Sequence, residues 1–126
     1  MNPPWIRPFF ALAAVYDLVL GIGVLLFFKP LYAWAGITPP NHDAYIQFGA
    51  AVVMVMGIGF AIIAANPGAN RGLMVVGLLF KLAYALPVLG HFFLGSMPVM
   101  WTVFAWCDLA FAAGFALAIA ATRPRV

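Results

Sequence analysis

Long apolar runs alternate with short polar segments along the chain. Each run has about 20 residues, the length a helix needs to cross the hydrocarbon core of a membrane. Glycines inside them, as in the GIG sequences at 21–23 and 57–59, are interpreted as positions where two helices pack closely. The pattern predicts an all-α membrane protein that forms a single integral membrane domain over residues 1–126. Its four transmembrane helices are expected at about 8–28, 44–66, 72–95 and 98–122.

The segments between the runs predict how consecutive helices are connected. Residues 66–72 (NPGANRG) and 95–98 (GSMP) are short and rich in turn-forming residues. Links of this length make consecutive helices antiparallel neighbours, so we expect an up-down-up-down bundle. The first connection, 29–43, is longer, and the second helix is expected to begin at Asp43.

The few charged residues indicate an orientation in the membrane. One side of the predicted bundle carries the amino terminus and four arginines, whereas the other side has Lys29, offset by Asp43. The positive-inside rule therefore predicts that both termini of this multi-pass protein are cytoplasmic. The arginines are Arg7, Arg71, Arg123 and Arg125.

Composition narrows the class of protein further. Hydrophobic residues make up 67% of the chain and charged residues 7%, against roughly half and a quarter in soluble domains. The net charge of +3 comes from scattered cations, and there is one cysteine. These values exclude a disordered, a disulfide-stapled and a nucleic-acid-binding chain.

Three charged residues fall near the middle of their spans. Asp17, Lys81 and Asp108 lie in the first, third and fourth runs, which places all three near the bilayer midplane. A charge at that depth is costly unless it is paired or hydrated, so we expect the two aspartates to flank the lysine inside the bundle. Because two carboxylates and one ammonium leave an excess negative charge, we also expect one aspartate to hold a proton.

Three roles for this charge cluster are open. It fixes the helix register, or it serves a proton, an ion or a substrate, or it contacts a partner subunit or a bound headgroup.

Other polar residues suggest a cavity beside the charges. Pro87 is expected to kink the third helix, because it removes a backbone hydrogen bond. Such a kink would open space beside Tyr84 and His91. With Gln47 and Trp101, these two residues form the set of candidate cavity-lining or ligand-lining residues.

No catalytic or metal-binding motif is recognisable. The sequence lacks H-E-x-x-H and G-x-S-x-G, and its two histidines fall in outer segments. We therefore predict no catalytic residue, no metal ligand and no obligatory cofactor, while a bound lipid or quinone is compatible with the chain. The one enzyme class left open is a lipid-directed isomerase or reductase that moves a proton with a carboxylate.

Several residues in the four spans form a distinctive order: Tyr16-Asp17 and Gly21, Gln47-Phe48-Gly49, Gly57-Ile58-Gly59, Lys81, and Asp108-Leu109. This order resembles that of small four-helix bacterial inner-membrane proteins of the DoxX-like type, whose localisation implies a bacterial-type inner membrane. The similarity lies in single residues spread over nearly the whole chain. The resemblance implies a four-helix membrane protein, and some members of that family are membrane partners of oxidoreductases that deliver electrons to quinone.

Together these observations favour a small non-enzymatic membrane protein that is an accessory or structural subunit of a larger membrane complex, respiratory or quinone-linked. Its expected partners are membrane lipid and either larger integral membrane subunits or further copies of itself. The alternative is a proton-coupled small-molecule carrier, or a lipophile-binding homo-oligomer, that uses Asp17, Lys81 and Asp108.

Overall fold

The computed structural model describes residues 2–124, and helices account for most of them. The fold is all-helical, with 84% helix and no strand in the described part of the chain. Each of the four long helices is long and apolar enough to cross a membrane, as predicted. They are α1 (Ile6–Ala35), α2 (Asp43–Ala65), α3 (Arg71–Leu94) and α4 (Val99–Ala121), and a short 3-10 helix (Gly68–Asn70) precedes α3.

Helix α1 is longer than the sequence pattern predicts. It continues past residue 28 to Ala35, so the first half of the expected loop at 29–43 is helical and that prediction is wrong there. The helix contains Pro30, which has no N–H to donate to the carbonyl of Leu26. The resulting irregularity is a kink at Phe27, with φ −125° and ψ 21°, rather than an end of the helix.

Helix α2 begins where the sequence predicts. His42 precedes the first turn in an extended conformation, and its Nδ1 accepts a hydrogen bond from the backbone N–H of Ala44 at 3.1 Å. Asp43 adds a negative charge in the first turn, where the helix dipole favours one.

Helix α3 passes through Pro87 as one continuous element. The sequence predicted a kink here. The backbone angles leave the helical region at Phe27 in α1, whereas α3 is not interrupted at Pro87, and the bend expected there stays a prediction.

The four helices associate mainly as two pairs. Helix α1 packs extensively on α2, and α3 packs extensively on α4. The packing of one pair on the other, through α2 with α3 and α1 with α4, is less extensive. In the described part of the chain, the backbones of α1 and α3 do not come close to each other. Any interaction that joins α1 to α3 therefore depends on long side chains.

Two glycines allow the close approach of α1 and α2. A Cβ at Gly21 would lie 2.8 Å from the carbonyl oxygen of Ala50, and one at Gly57 would lie 3.0 Å from the backbone nitrogen of Leu18. The second glycine of the first GIG sequence, Gly23, faces open space. The predicted role in close packing therefore belongs to the first glycine of each GIG sequence.

Aromatic rings fill the part of the bundle near the start of α1. The ring of Phe115 lies 4.8 Å from that of Phe10 and 4.9 Å from that of Phe60, measured between centroids. Gly77 makes room for them, because a Cβ there would lie 2.7 Å or less from both Phe60 and Phe115. Ile6, Ile63 and Met74 complete this buried core.

The two glycines of the GIG sequence at 21–23 give a matched test of the α1 and α2 contact. Because its Cβ would meet backbone atoms, we expect Gly21→Ala to lower the free energy of unfolding by about 1–3 kcal/mol. The control Gly23→Ala meets no atom and is expected to keep or slightly raise stability. Unfolding in mixed micelles with a denaturing detergent measures both variants, and equal effects would contradict the assigned contact.

Candidate functional site

The structure brings Asp17, Lys81 and Asp108 together in the interior of the bundle. The Nζ atom of Lys81 donates to Oδ1 of Asp17 at 2.7 Å and to Oδ1 of Asp108 at 3.0 Å. We call these three residues the charge cluster. The lysine belongs to α3 and the aspartates to α1 and α4, so its side chain links α3 to α1, whose backbone α3 does not approach closely.

The charge cluster is almost completely shielded from the surroundings. The side chain of Lys81 is 0% exposed, and those of Asp17 and Asp108 are 2% and 10% exposed. Inside a low-dielectric environment, an ammonium group needs both a counter-charge and hydrogen bonds. The contacts of Lys81 with the two aspartates supply both. Asp108 is the most exposed of the three side chains, so the charge cluster is most accessible on its side.

Four aromatic rings surround the ammonium group of Lys81. Their centroids lie between 5.0 and 6.0 Å from Nζ. The negative faces of aromatic rings attract a desolvated cation, so this aromatic cage adds to the stabilisation given by the carboxylates. The cage consists of Tyr16, Phe60, Phe80 and Phe111, and every long helix contributes one ring.

The cage was not predicted from the sequence. A weak signal exists, because Tyr16 precedes Asp17, Phe80 precedes Lys81, and Phe111 lies one turn after Asp108. Aromatic residues are so frequent in this chain that proximity in sequence does not distinguish cage residues from lipid-facing ones.

Two buried polar atoms of the site have no hydrogen-bond partner within residues 2–124. They are Oδ2 of Asp17 and the hydroxyl oxygen of Tyr16. Burial of an unpaired polar atom is costly. The expectation that one aspartate of the charge cluster holds a proton stays a prediction.

Two adjacent cavities lie on the other side of the charge cluster from the aromatic core. One, of about 310 Å³, is bounded by α2, α3 and Asp108, and the other, of about 240 Å³, reaches from α1 to Trp101. Gly49, Val53 and Tyr84 line both. Apart from Asp108, the walls of the first cavity are almost entirely apolar, which suits a lipophilic occupant.

The structure separates the four candidate lining residues into two groups. Tyr84 and Trp101 line the 240 Å³ cavity, and the Tyr84 hydroxyl donates to the backbone carbonyl of Trp101 at 2.9 Å. Gln47 and His91 are exposed, and neither lines these two cavities. His91 shares the helical spacing of Lys81 and Tyr84, but it lies in the last turns of α3, which extend beyond the packed part of the bundle.

In the described part of the chain, no group of three or more histidine, cysteine, aspartate or glutamate side chains is arranged to hold an ion.

Comparison of the chain with protein-family models, with curated proteins and with solved structures returned no match.

The contacts of Lys81 predict a characteristic pattern of stability. Lys81→Met leaves two buried carboxylates without a counter-charge, so we expect it to lower the free energy of unfolding by about 3–5 kcal/mol. Replacing Asp17 and Asp108 by valine in the same chain removes these charges and is expected to recover most of the loss. Chemical unfolding in mixed micelles measures the variants.

Lys29 provides the control for this experiment. It pairs with Asp43 at 3.8 Å on the exterior of the protein, so Lys29→Met is expected to change stability little. An unchanged stability of Lys81→Met, or a triple variant less stable than the single one, would contradict the assigned role of the charge cluster.

Proposed function

We propose that the protein is a small non-enzymatic integral membrane protein and an accessory subunit of a larger membrane complex. The observation that carries this proposal is the shielding of the charge cluster. Lys81 is 0% exposed and Asp17 2%, so neither is positioned to exchange protons with water or to meet a substrate. A sealed, doubly paired lysine suits a clamp that fixes the helices relative to one another.

The proposed topology is an antiparallel up-down-up-down bundle with both termini in the cytoplasm of a bacterial-type cell. Short connections between helices support the antiparallel order. Arg7, Arg71 and Arg123 lie at helix ends on the proposed cytoplasmic side, while Lys29 pairs with Asp43 on the other. Arg125, which also entered the sequence-based prediction, lies outside the described residues.

The outer surface of the bundle supports docking to other helices. Within an 18-residue apolar stretch of each of the four spans, only 22% to 28% is buried inside the bundle. The other residues are half-buried or exposed, and the exposed ones must contact lipid or another protein. On α4, three exposed alanines, Ala113, Ala116 and Ala120, share one face, and small residues there let a neighbouring helix approach closely.

The resemblance to DoxX-like proteins supports a specific choice of complex. Members of that family that act as membrane partners of oxidoreductases suggest a respiratory or quinone-linked redox complex as the first to examine.

Purification from the native membrane in mild detergent tests the accessory role. We expect larger integral membrane subunits to be recovered in fixed stoichiometry with the protein. Ala116→Phe, which enlarges the alanine face of α4, is expected to abolish this recovery, because a bulky ring prevents close helix approach. The control Ala61→Phe makes the same change on an exposed position of α2 and is expected to leave recovery unchanged. Recovery of the wild-type protein alone, or only with copies of itself, would contradict the proposal.

A second candidate function is the binding of a lipophile. The observation that favours it is the 310 Å³ cavity, which places one carboxylate, that of Asp108, in an apolar wall between α2 and α3. These two helices belong to different pairs and pack on each other less extensively than the partners within a pair. A molecule dissolved in the membrane then has a lateral route to Asp108.

Filling the cavities distinguishes this candidate from the accessory role. Gly49 lines both cavities, and a Cβ there meets no atom within 4 Å. We expect Gly49→Leu to abolish binding of the probe 1-dodecanol, measured by native mass spectrometry, with the fold intact. Gly23→Leu also projects into open space, but outside these cavities, and is expected to retain binding. Equal binding by both variants would contradict a role for the cavities.

A further inference from the structure

A polar cavity of about 440 Å³ lies where α3 begins and α4 ends. Its lining includes two arginines, Arg71 and Arg123, together with the side chain or backbone of Asn2, Gly68 and Thr122. The two cavities near the charge cluster are apolar, so this end of the bundle offers a different chemistry. Two guanidinium groups around one cavity are suited to an anion with several oxygen acceptors.

The guanidinium group of Arg71 is held in place by the end of α4. Its Nε donates to Oγ1 of Thr122 at 3.1 Å, and its Nη2 donates to the carbonyl oxygen of Ile119 at 2.9 Å. Thr122 is fixed in turn, because its hydroxyl donates to the carbonyl oxygen of Ala118 at 2.8 Å. A guanidinium has five N–H groups. Two of them donate to oxygens at the carboxyl end of α4, and within residues 2–124 the other three have no protein acceptor.

The electrostatic balance at this end favours an anion. The chain has three aspartates and no glutamate, and each aspartate is paired elsewhere. Asp17 and Asp108 contact Lys81, and Asp43 contacts Lys29. Within residues 2–124, therefore, no side-chain carboxylate neutralises Arg71 and Arg123. The first turn of α3, which starts at Arg71, adds the positive end of a helix dipole.

We propose that this cavity binds the phosphate group of an anionic membrane lipid. The cavity lies at the ends of two apolar helices, the level at which headgroups meet a membrane protein. A lipid phosphodiester there has its acyl chains beside the apolar faces of α3 and α4 while its oxygens reach the arginines. The ligand class is thus a phospholipid with net negative charge. The proposal rests on the membrane insertion of the helices and is independent of the accessory role proposed above.

Lipid titrations of the purified full chain, followed by native mass spectrometry, test this site. Phosphatidylglycerol is expected to bind more tightly than phosphatidylcholine, whose phosphate is offset by choline. Because Arg71 also caps α4, the exposed Arg123 is the residue to change. We expect Arg123→Gln to weaken phosphatidylglycerol binding about fivefold, the effect of one basic residue near an anionic headgroup.

Arg7→Gln is the matched control. It removes the same charge from the same proposed side of the membrane, but Arg7 does not line the cavity, so we expect less than a twofold effect. An equal loss in both variants would show diffuse attraction to net charge and overturn the proposal. Equal binding of the two lipids would overturn it as well. Displacement of phosphatidylglycerol by millimolar inorganic phosphate would assign the cavity to free phosphate instead of a lipid.

Discussion

The contact of Lys81 with two aspartates is the interaction on which the arrangement of the helices depends. An ammonium group inside an apolar bundle requires neutralisation, and its counter-charges come from both helix pairs. Satisfying it fixes α1 relative to α3, whose backbones do not approach each other closely. Glycine contacts fix α1 against α2, so the bundle combines one apolar and one ionic constraint.

The charge cluster also marks a boundary within the bundle. On one side, the rings of Phe10, Phe60 and Phe115 fill the interior. On the other, the interior is incompletely filled, and cavities lined by Tyr84 approach Asp108. The filled side explains why Asp17 and Lys81 are sealed. The incompletely filled side is why lipophile binding is the second candidate function. Asp108, which faces that side, has the most exposed side chain of the charge cluster.

The number and approximate positions of the helices follow from the lengths of the apolar runs, but the packing between the helices does not. The apolar runs predicted four helices and the start of α2 at Asp43, because those features depend on local composition. The predicted end of α1 was wrong, because the helix continues through Pro30 and packs Leu31 and Tyr32 against a buried cluster that includes residues of α2. The similar depth of Asp17, Lys81 and Asp108 in their spans predicted that these three residues contact one another. The aromatic cage and the exposure of His91 depend on helix rotation and on where packing ends, which periodicity does not reveal.

The most direct test of the account is a distance measurement in a lipid bilayer. Solid-state NMR detects the dipolar coupling between a ¹⁵N label at Nζ of Lys81 and ¹³C labels at the aspartate carboxyl groups. The account predicts couplings to both Asp17 and Asp108, consistent with Nζ–Oδ1 contacts of 2.7 and 3.0 Å. Asp17→Asn and Asp108→Asn assign the two signals. A lysine that couples to neither carboxyl group would contradict the central role of the charge cluster.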